Sequence, residues 1–106
     1  MDKFYALSAP IRREIIALLA DSGELSATLI AEKFKVSPPA ISQHLKILLN
    51  THLVRMHKQA QQRIYELNPA AMLELEAWAK QIVTSLDAVG EMVAKPDIDT
   101  PLKEAS

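Results

Sequence analysis

Apolar residues recur at intervals of three and four in the first part of the chain, which is the period of an amphipathic helix. The first such stretch carries Ile11, Ile15, Leu18 and Leu19. Pro10 suits a first helical turn, Ser8 is the candidate cap and Gly23 follows the end, so we predict a helix of about ten residues. The residues before Pro10 predict a short arm, helical or extended, that the proline separates from this helix.

Two further helices are predicted, joined by a tight turn. Ser26 can cap the first, whose apolar residues are Leu29, Ile30 and Phe34, and residues 35 to 38 end it. Ser37 caps the second helix, and Pro38 and Pro39 occupy its first turn. Its apolar stripe consists of Ile41, Leu45 and Leu48 and ends near Asn50.

A β-hairpin is predicted next, because two short apolar runs flank a polar tip. The runs are Leu53, Val54 and Met56, and then Ile64, Tyr65 and Leu67. The tip extends from Lys58 to Gln62.

Asn68 and Pro69 open the longest helical pattern, a heptad seam of Met72, Leu75, Ala79, Ile82, Leu86, Val89 and Val93. At about 1.5 Å per residue it is roughly 30 Å long, more than so small a domain needs to cover its own core. This favours a dimer interface over packing within one chain. The candidate interface residues are Phe4, Tyr5, Leu75, Trp78, Ala79, Ile82, Leu86 and Val89. Residues 94 to 106 lack periodicity and are predicted to be a disordered tail, leaving one domain over residues 1 to 93.

Composition excludes several classes of protein. With 106 residues, 49% of them hydrophobic, the chain can form one small core that would gain from burying surface in a partner. No run is long enough for a membrane span and the start lacks the order of a signal peptide, so we expect a cytoplasmic location. The absence of cysteine excludes disulfides and thiolate metal sites. No motif supports an enzyme or a cofactor site.

Charge is segregated along the chain. The segment from Lys33 to Arg63 contains no acidic residue but 6 of the 12 Lys and Arg residues and all 3 histidines, so it is near +6 while the remainder is near −7. We call this segment the basic window. A solvated basic face that binds nothing would share this composition, but such segregation is also typical of a surface that binds a polyanion.

The order of elements predicts a mainly α winged helix-turn-helix, with about five helices and a two-stranded wing. Its recognition helix would project polar side chains into a DNA major groove, and its wing would lie along the backbone or the minor groove. The candidate DNA-binding residues are Ser37, Pro38, Pro39, Ser42, Gln43, His44, Lys46, Lys58, Gln59, Gln61, Gln62 and Arg63. The alternative is a winged helix that docks a protein, since a fold does not dictate its ligand.

Four motifs in order resemble the ArsR/SmtB family of bacterial transcriptional repressors: YALSAPIRREI (5–15), SPPAISQHLK (37–46), Leu53-Val54 and RIYEL (63–67). The resemblance covers about residues 3 to 90. It implies a homodimer, paired through its first and last helices, that binds an inverted-repeat DNA operator and releases it when an effector binds. It also implies that Ser42, Gln43 and His44 lie on the DNA-reading face, with Arg63 in the wing.

The chain departs from this family in two respects. Members often have glycine in the helix-turn-helix turn, after the recognition helix and at the wing tip, where this chain has Lys35, His52 and Ala60. Metal-sensing members have ligand sets that are missing here, since the last helix lacks histidine and offers only Asp87 with Glu91. We therefore expect a regulator of the non-metal-sensing type, with an effector that the sequence does not identify.

Individual residues leave alternatives open. His44 could contact DNA, bind a metal or pack at the edge of the recognition helix, and we favour DNA. His52 and His57 are expected to be ordinary surface or turn residues. Arg12 and Arg13 are expected to pair with carboxylates or to extend along the helix surface rather than to touch DNA.

Overall fold

A computed structural model describes residues 1 to 90, which form five helices and a three-stranded antiparallel sheet. The elements are α1 (Lys3–Ala6), α2 (Pro10–Ser22), β1 (Glu24–Ser26), α3 (Ala27–Phe34), α4 (Pro38–Asn50), β2 (Val54–Gln59), β3 (Gln62–Leu67) and α5 (Pro69–Gly90). The predicted tail and Val93 of the seam lie outside the described residues. The chain divides into two units, Met1–Leu73 and a second that starts at Glu74.

The core of the first unit is built from the apolar stripes that the sequence predicted. Its largest fully buried side chains are Ile15, Leu19, Ile30, Ile41, Leu45, Leu48, Leu53 and Val54. They come from α2, α3, α4 and the base of the hairpin, so burying these stripes together brings the three helices and the hairpin into one core.

Serine caps explain where α3 and α4 begin. Ser26 Oγ accepts a hydrogen bond from Leu29 N at 3.2 Å, and Ser37 Oγ accepts one from Ala40 N at 3.3 Å. Each serine thereby satisfies an amide that has no partner inside its helix. Both predicted caps are confirmed.

The predicted cap of α2 is wrong. Ala9 is the N-cap residue and makes no side-chain hydrogen bond, while Ser8 Oγ donates to the Tyr5 carbonyl at 2.6 Å. Pro10 at the first helical position has no N–H to satisfy, so this helix begins with one fewer donor in need of a cap. The helix is also longer than expected, with 13 residues that end beside Gly23, whose φ is 87°.

The sheet contains one strand that the sequence did not reveal. Its order is β1-β3-β2, so β3 is central and pairs with β1 as well as with β2. The strand β1 has only three residues, too few for an alternating pattern to stand out, and its last residue is also the cap of α3. The predicted two-stranded wing is therefore present as β2 and β3, with a third strand at its base.

Within residues 1 to 90, three residues other than glycine adopt a left-handed backbone. They are Lys35 (φ 55°), His52 (φ 64°) and Ala60 (φ 58°). These are the three positions at which the family resemblance implied glycine. An L-residue in this conformation costs roughly 1 to 2 kcal/mol, so the turn, the end of α4 and the wing tip all carry local strain.

Candidate nucleic-acid interface

Helix α4 has one buried face and one exposed polar face. Ile41, Leu45 and Leu48 are at most 1% exposed, while Ser42, Gln43 and Lys46 are exposed. The apolar residues recur every three or four positions, so they anchor one side of the helix and leave the other free. This arrangement suits a recognition helix, which must be held by the core while it presents polar groups to a groove.

The first turn of α4 is exposed at Ser37, Pro38 and Pro39. The side chain of Ser37 is already the cap of the helix, and the two prolines have no N–H to offer a phosphate. The exposed groups at this end of the helix are therefore the serine hydroxyl and the two proline rings.

His44 is placed differently from its neighbours on α4. It is half-buried, and its Nδ1 lies 3.2 Å from a terminal nitrogen of Arg12 on α2. The pKa of His44 is lowered below its ordinary value of 6.5, mainly because the ring is partly buried and secondly because the Arg12 charge is near. The ring thus packs against α2 and favours the neutral form, and its contact with DNA remains a prediction.

Arg12 is the charged side chain whose position the sequence analysis misjudged. It is only 6% exposed, and it donates through Nε to the Ala6 carbonyl at 2.7 Å and through Nη2 to the Tyr5 carbonyl at 3.3 Å. Its guanidinium carbon also lies 5.4 Å from the centre of the Tyr5 ring. Arg12 thus bonds the end of α1 rather than a carboxylate. A signal was present, because positions 12, 15 and 19 share one helical face with the core residues.

Arg13 behaves more nearly as expected. It is exposed, and it donates to the Leu7 carbonyl at 2.6 Å. The contact is again to the backbone, so among residues 1 to 90 neither arginine pairs with a carboxylate, which was one of the two expected alternatives.

The end of α4 is closed by a left-handed cap. The amide of His52 donates to Leu49 O at 3.1 Å, and the amide of Leu53 donates to Leu48 O at 3.0 Å. This pair of bonds is the Schellman motif, which normally has glycine where His52 stands. Leu48 and Leu53 are both fully buried, as the apolar contact of that motif requires.

Asn68 joins this cap to the start of α5. Its side-chain nitrogen donates to His52 O at 2.9 Å, and its amide donates to Leu53 O at 3.0 Å. Its side-chain oxygen accepts from Ala70 N at 3.2 Å, in the first turn of α5. One residue therefore connects the recognition helix to the following helix, a role that the sequence analysis missed because Asn before Pro also marks any helix start.

The register of the hairpin places like charges opposite each other. Lys58 pairs with Arg63 and Gln59 pairs with Gln62, and all four side chains, with Gln61, are exposed. Like charges at directly opposed positions destabilise a sheet, so this pair does not serve the stability of the hairpin. It does concentrate positive charge at the tip, which suits contact with phosphates.

The basic window is less uniform in space than in sequence. Arg55 lies opposite Glu66 on β3, and the two side chains form an ion pair at 3.3 Å. Glu66 lies just outside the window, so adjacency in the sheet rather than in sequence neutralises this charge. The free cationic part of the wing is therefore its tip rather than its base.

The residues of the predicted dimer interface are mostly exposed. In the first unit, Phe4 is 46% and Tyr5 50% exposed. In the second, Trp78, Ala79, Ile82, Leu86 and Val89 are exposed, while Leu75 is half-buried. Leu73 and Val83 are exposed apolar residues that the prediction did not include. The apolar surface is large, but pairing with a second copy remains a prediction.

Two other kinds of site are absent from the part of the chain that the structure describes. No group of three or more histidine and carboxylate side chains there could hold a metal ion. None of the helices there is long and apolar enough to cross a membrane.

The chain is similar to bacterial regulators in sequence and structure. Residues 9–56 match the model of the bacterial regulatory protein, arsR family. The transcriptional repressor SdpR of Bacillus subtilis is 36% identical over 84 residues, which cover 79% of this chain and 92% of that protein. The arsenical resistance operon repressor of Staphylococcus xylosus is 42% identical over 62 residues, which cover 58% of this chain and 59% of that protein. A crystal structure of a possible transcriptional regulator for arsenical resistance is 31% identical in sequence and has a TM-score of 0.72. The match covers 90% of this chain and 99% of that one. The chain therefore belongs to the ArsR family of bacterial regulatory proteins.

Proposed function

We propose that this chain is a sequence-specific DNA-binding transcriptional repressor that acts as a homodimer on an inverted-repeat operator. The observation that carries the proposal is the division of α4 into a buried apolar face and an exposed face of Ser42, Gln43 and Lys46. The repressor role rests on similar proteins of the family, including SdpR.

The side chains of α4 and the wing suit different parts of a DNA duplex. The Gln43 amide can pair with adenine in the major groove, and Lys46 can contact a guanine edge or a phosphate. At the wing tip, Lys58 and Arg63 would contact phosphates or the adjacent minor groove. We therefore assign sequence preference to α4 and general affinity to the wing.

Dimerisation would supply the spacing between two recognition helices. The 22 residues of α5 span about 33 Å and leave Ile82, Leu86 and Val89 at least 45% exposed. Exposed apolar surface of this extent is typical of an interaction site. A two-fold dimer would place two α4 helices about one DNA turn apart, which matches a palindromic site.

The effector is an organic molecule or a partner protein, or protein concentration alone controls binding to the operator. The chain has no cysteine, so it supplies no thiolate for arsenite, although arsenical repressors are among its relatives. We also propose that the protein has no enzymatic role and works in the cytoplasm, where bacterial DNA is located.

The proposal is tested by electrophoretic mobility shift on the promoter region next to the coding sequence, at two salt concentrations. A repressor should shift a specific duplex, and the shift should weaken steeply as salt rises, because phosphate contacts release counterions. The alternative, a winged helix that docks a protein, would give no salt-sensitive shift on any duplex. A salt-sensitive but sequence-indifferent shift would contradict the role assigned to α4.

A further inference from the structure

Among residues 1 to 90, no carboxylate lies beside the buried guanidinium of Arg12. Its three hydrogen bonds go to the Tyr5 and Ala6 carbonyls and to His44 Nδ1. Burying a charge without a counter-ion costs stability that hydrogen bonds only partly offset. An apolar residue at this position would fill the core without that cost, so the contacts of Arg12 point to a role beyond packing.

Two of these bonds determine where the third one points. A guanidinium is planar, and its donors have a fixed fork geometry. Nε lies 2.7 Å from Ala6 O and Nη2 lies 3.3 Å from Tyr5 O, which hold the plane against the end of α1. Nη1 is then directed at His44 Nδ1, 3.2 Å away on the recognition helix.

This contact selects one protonation form of His44. A guanidinium can only donate, so Nδ1 must accept and carries no proton, and the proton of the neutral ring is then on Nε2. The other tautomer and the imidazolium would each set an N–H of the ring against an N–H of Arg12. The lowered pKa of His44, from burial and then from Arg12, agrees with this form.

The other edge of the ring remains available. His44 is only half-buried, and no buried polar side-chain atom among residues 1 to 90 is left without a partner. Within residues 1 to 90 the bond of the His44 ring is made by Nδ1, and Nε2 has no partner there. Since no atom without a partner is buried, the Nε2–H donor is open to solvent.

We propose that Arg12 is a positioning residue for operator binding, which holds His44 as an Nε2–H donor on α4 for a hydrogen-bond acceptor of the DNA. The acceptor is a phosphate oxygen or an acceptor on a base edge, since both have the same chemistry. This inference rests on the proposed function, because it assumes that α4 approaches DNA.

The first test is a double-mutant cycle with Arg12→Met, His44→Gln and the double variant. The probes are a duplex that the wild-type protein selects from a random pool and a scrambled duplex of the same composition. Arg12→Met should lower affinity for the selected duplex by about tenfold, the order of one hydrogen bond, but should add no loss in the His44→Gln background. Equal losses in both backgrounds would mean that Arg12 acts only on stability, and would overturn the proposal.

The two duplexes distinguish the acceptors. A loss confined to the selected duplex identifies a base edge, and an equal loss on both identifies a phosphate. Failure of the wild-type protein to enrich any duplex from the random pool would refute the proposed function and the DNA part of this inference with it.

The second test reads the tautomer directly and needs no DNA. Long-range proton–nitrogen correlation spectra of protein with labelled histidine report which ring nitrogen carries the proton, and His44→Gln identifies the signal among the 3 histidines. Wild type should show Nε2–H alone, and Arg12→Met should show both tautomers. A protonated Nδ1 in wild type, or a spectrum that Arg12→Met leaves unchanged, would overturn the proposal. If Arg12→Met does not fold, Arg12→Lys removes the planar fork and serves instead.

Discussion

At the scale of single residues, two features cost the fold free energy: the left-handed backbone at Lys35, His52 and Ala60, and the buried guanidinium of Arg12. The family resemblance implied glycine at the positions of Lys35, His52 and Ala60, and the structure has a left-handed backbone at all three. Arg12 was misplaced because a charged residue is by default expected at the surface, and only three-dimensional packing shows which carbonyls it can reach. Local backbone demands leave a trace in sequence, whereas contacts between α2 and α4 do not.

The stability of the protein should fall in mildly acidic solution because of His44. The pKa of His44 is lowered in the fold, so below pH 6.5 this side chain binds a proton in the unfolded chain but remains neutral in the folded one. The contribution of neutral His44 to the unfolding free energy is therefore fully present above pH 6.5, and it is lost as the pH falls toward the lower pKa of the folded state. Urea unfolding should be measured for wild type and His44→Gln between about pH 7.5 and about pH 5.5. As pH falls, the unfolding free energy of wild type should decrease relative to that of the variant.

The matched control for this experiment is His57→Gln, which keeps the pair of Arg12 and His44 intact. This control should follow the pH dependence of wild type. A constant difference in unfolding free energy between wild type and His44→Gln would contradict the assignment.

Glycine at the cap of the recognition helix should stabilise the protein. His52 has φ 64° at the Schellman position, so His52→Gly removes a conformational cost of about 1 kcal/mol. The unfolding free energy from urea titration should rise accordingly. Ala17→Gly, at an exposed position inside α2, is the matched control and should lower stability by about 1 kcal/mol. If both variants lose stability, His52 is not strained.

At the scale of elements, long patterns were reliable and short ones were not. The helices α4 and α5 and the pairing of β2 with β3 followed from period and turn chemistry, and two of three helix caps were correct. The strand β1 was missed because its three residues acquire their identity from pairing with β3, which is distant in sequence. The exposure of the polar face of α4 and of the hairpin tip could likewise be predicted, since it depends on local pattern.

Substitutions in the two elements should have different effects on binding. Gln43→Ala should relax sequence preference at one position of each half-site, because an amide contact to a base edge is lost. Lys58→Ala should weaken binding to all duplexes alike and reduce the slope of log affinity against log salt by about one. Titrations of the selected duplex and its single-base variants at several salt concentrations measure both effects.

Lys80→Ala is the matched control, since it removes one positive charge from an exposed position outside the basic window. It should leave affinity and salt slope close to those of wild type. The assigned roles would be wrong if Gln43→Ala and Lys58→Ala lowered affinity equally for every sequence.

At the scale of the whole molecule, the chain separates a cationic surface from an acidic remainder. The basic window was visible in sequence, but the pairing of Arg55 with Glu66 shows that, within the wing, the unneutralised charge lies at the tip, with Lys58 and Arg63. Assembly was the least predictable property, because an exposed apolar face shows that something is to be covered without showing by what. The interface therefore depends on experiments with the protein in solution.

A charge in the seam of α5 should separate the proposed dimer. Ile82→Glu places a carboxylate within apolar surface that the dimer would bury, so sedimentation should give a monomer and operator binding should be lost. Ala77→Glu, on the same helix but off the seam, is the matched control and should remain dimeric. A monomeric Ile82→Glu variant that still bound the full palindrome tightly would refute the interface.

Because β2 lies at the edge of the sheet, its basic residues also affect whether the protein aggregates. β2 is an outer strand, so its free edge presents unpaired backbone groups that could template a strand from another copy. Lysine on an exposed edge strand discourages such pairing, and Lys58 occupies this position near the tip. A wing stripped of its positive charge would therefore aggregate more readily at high concentration, quite apart from any loss of affinity for DNA.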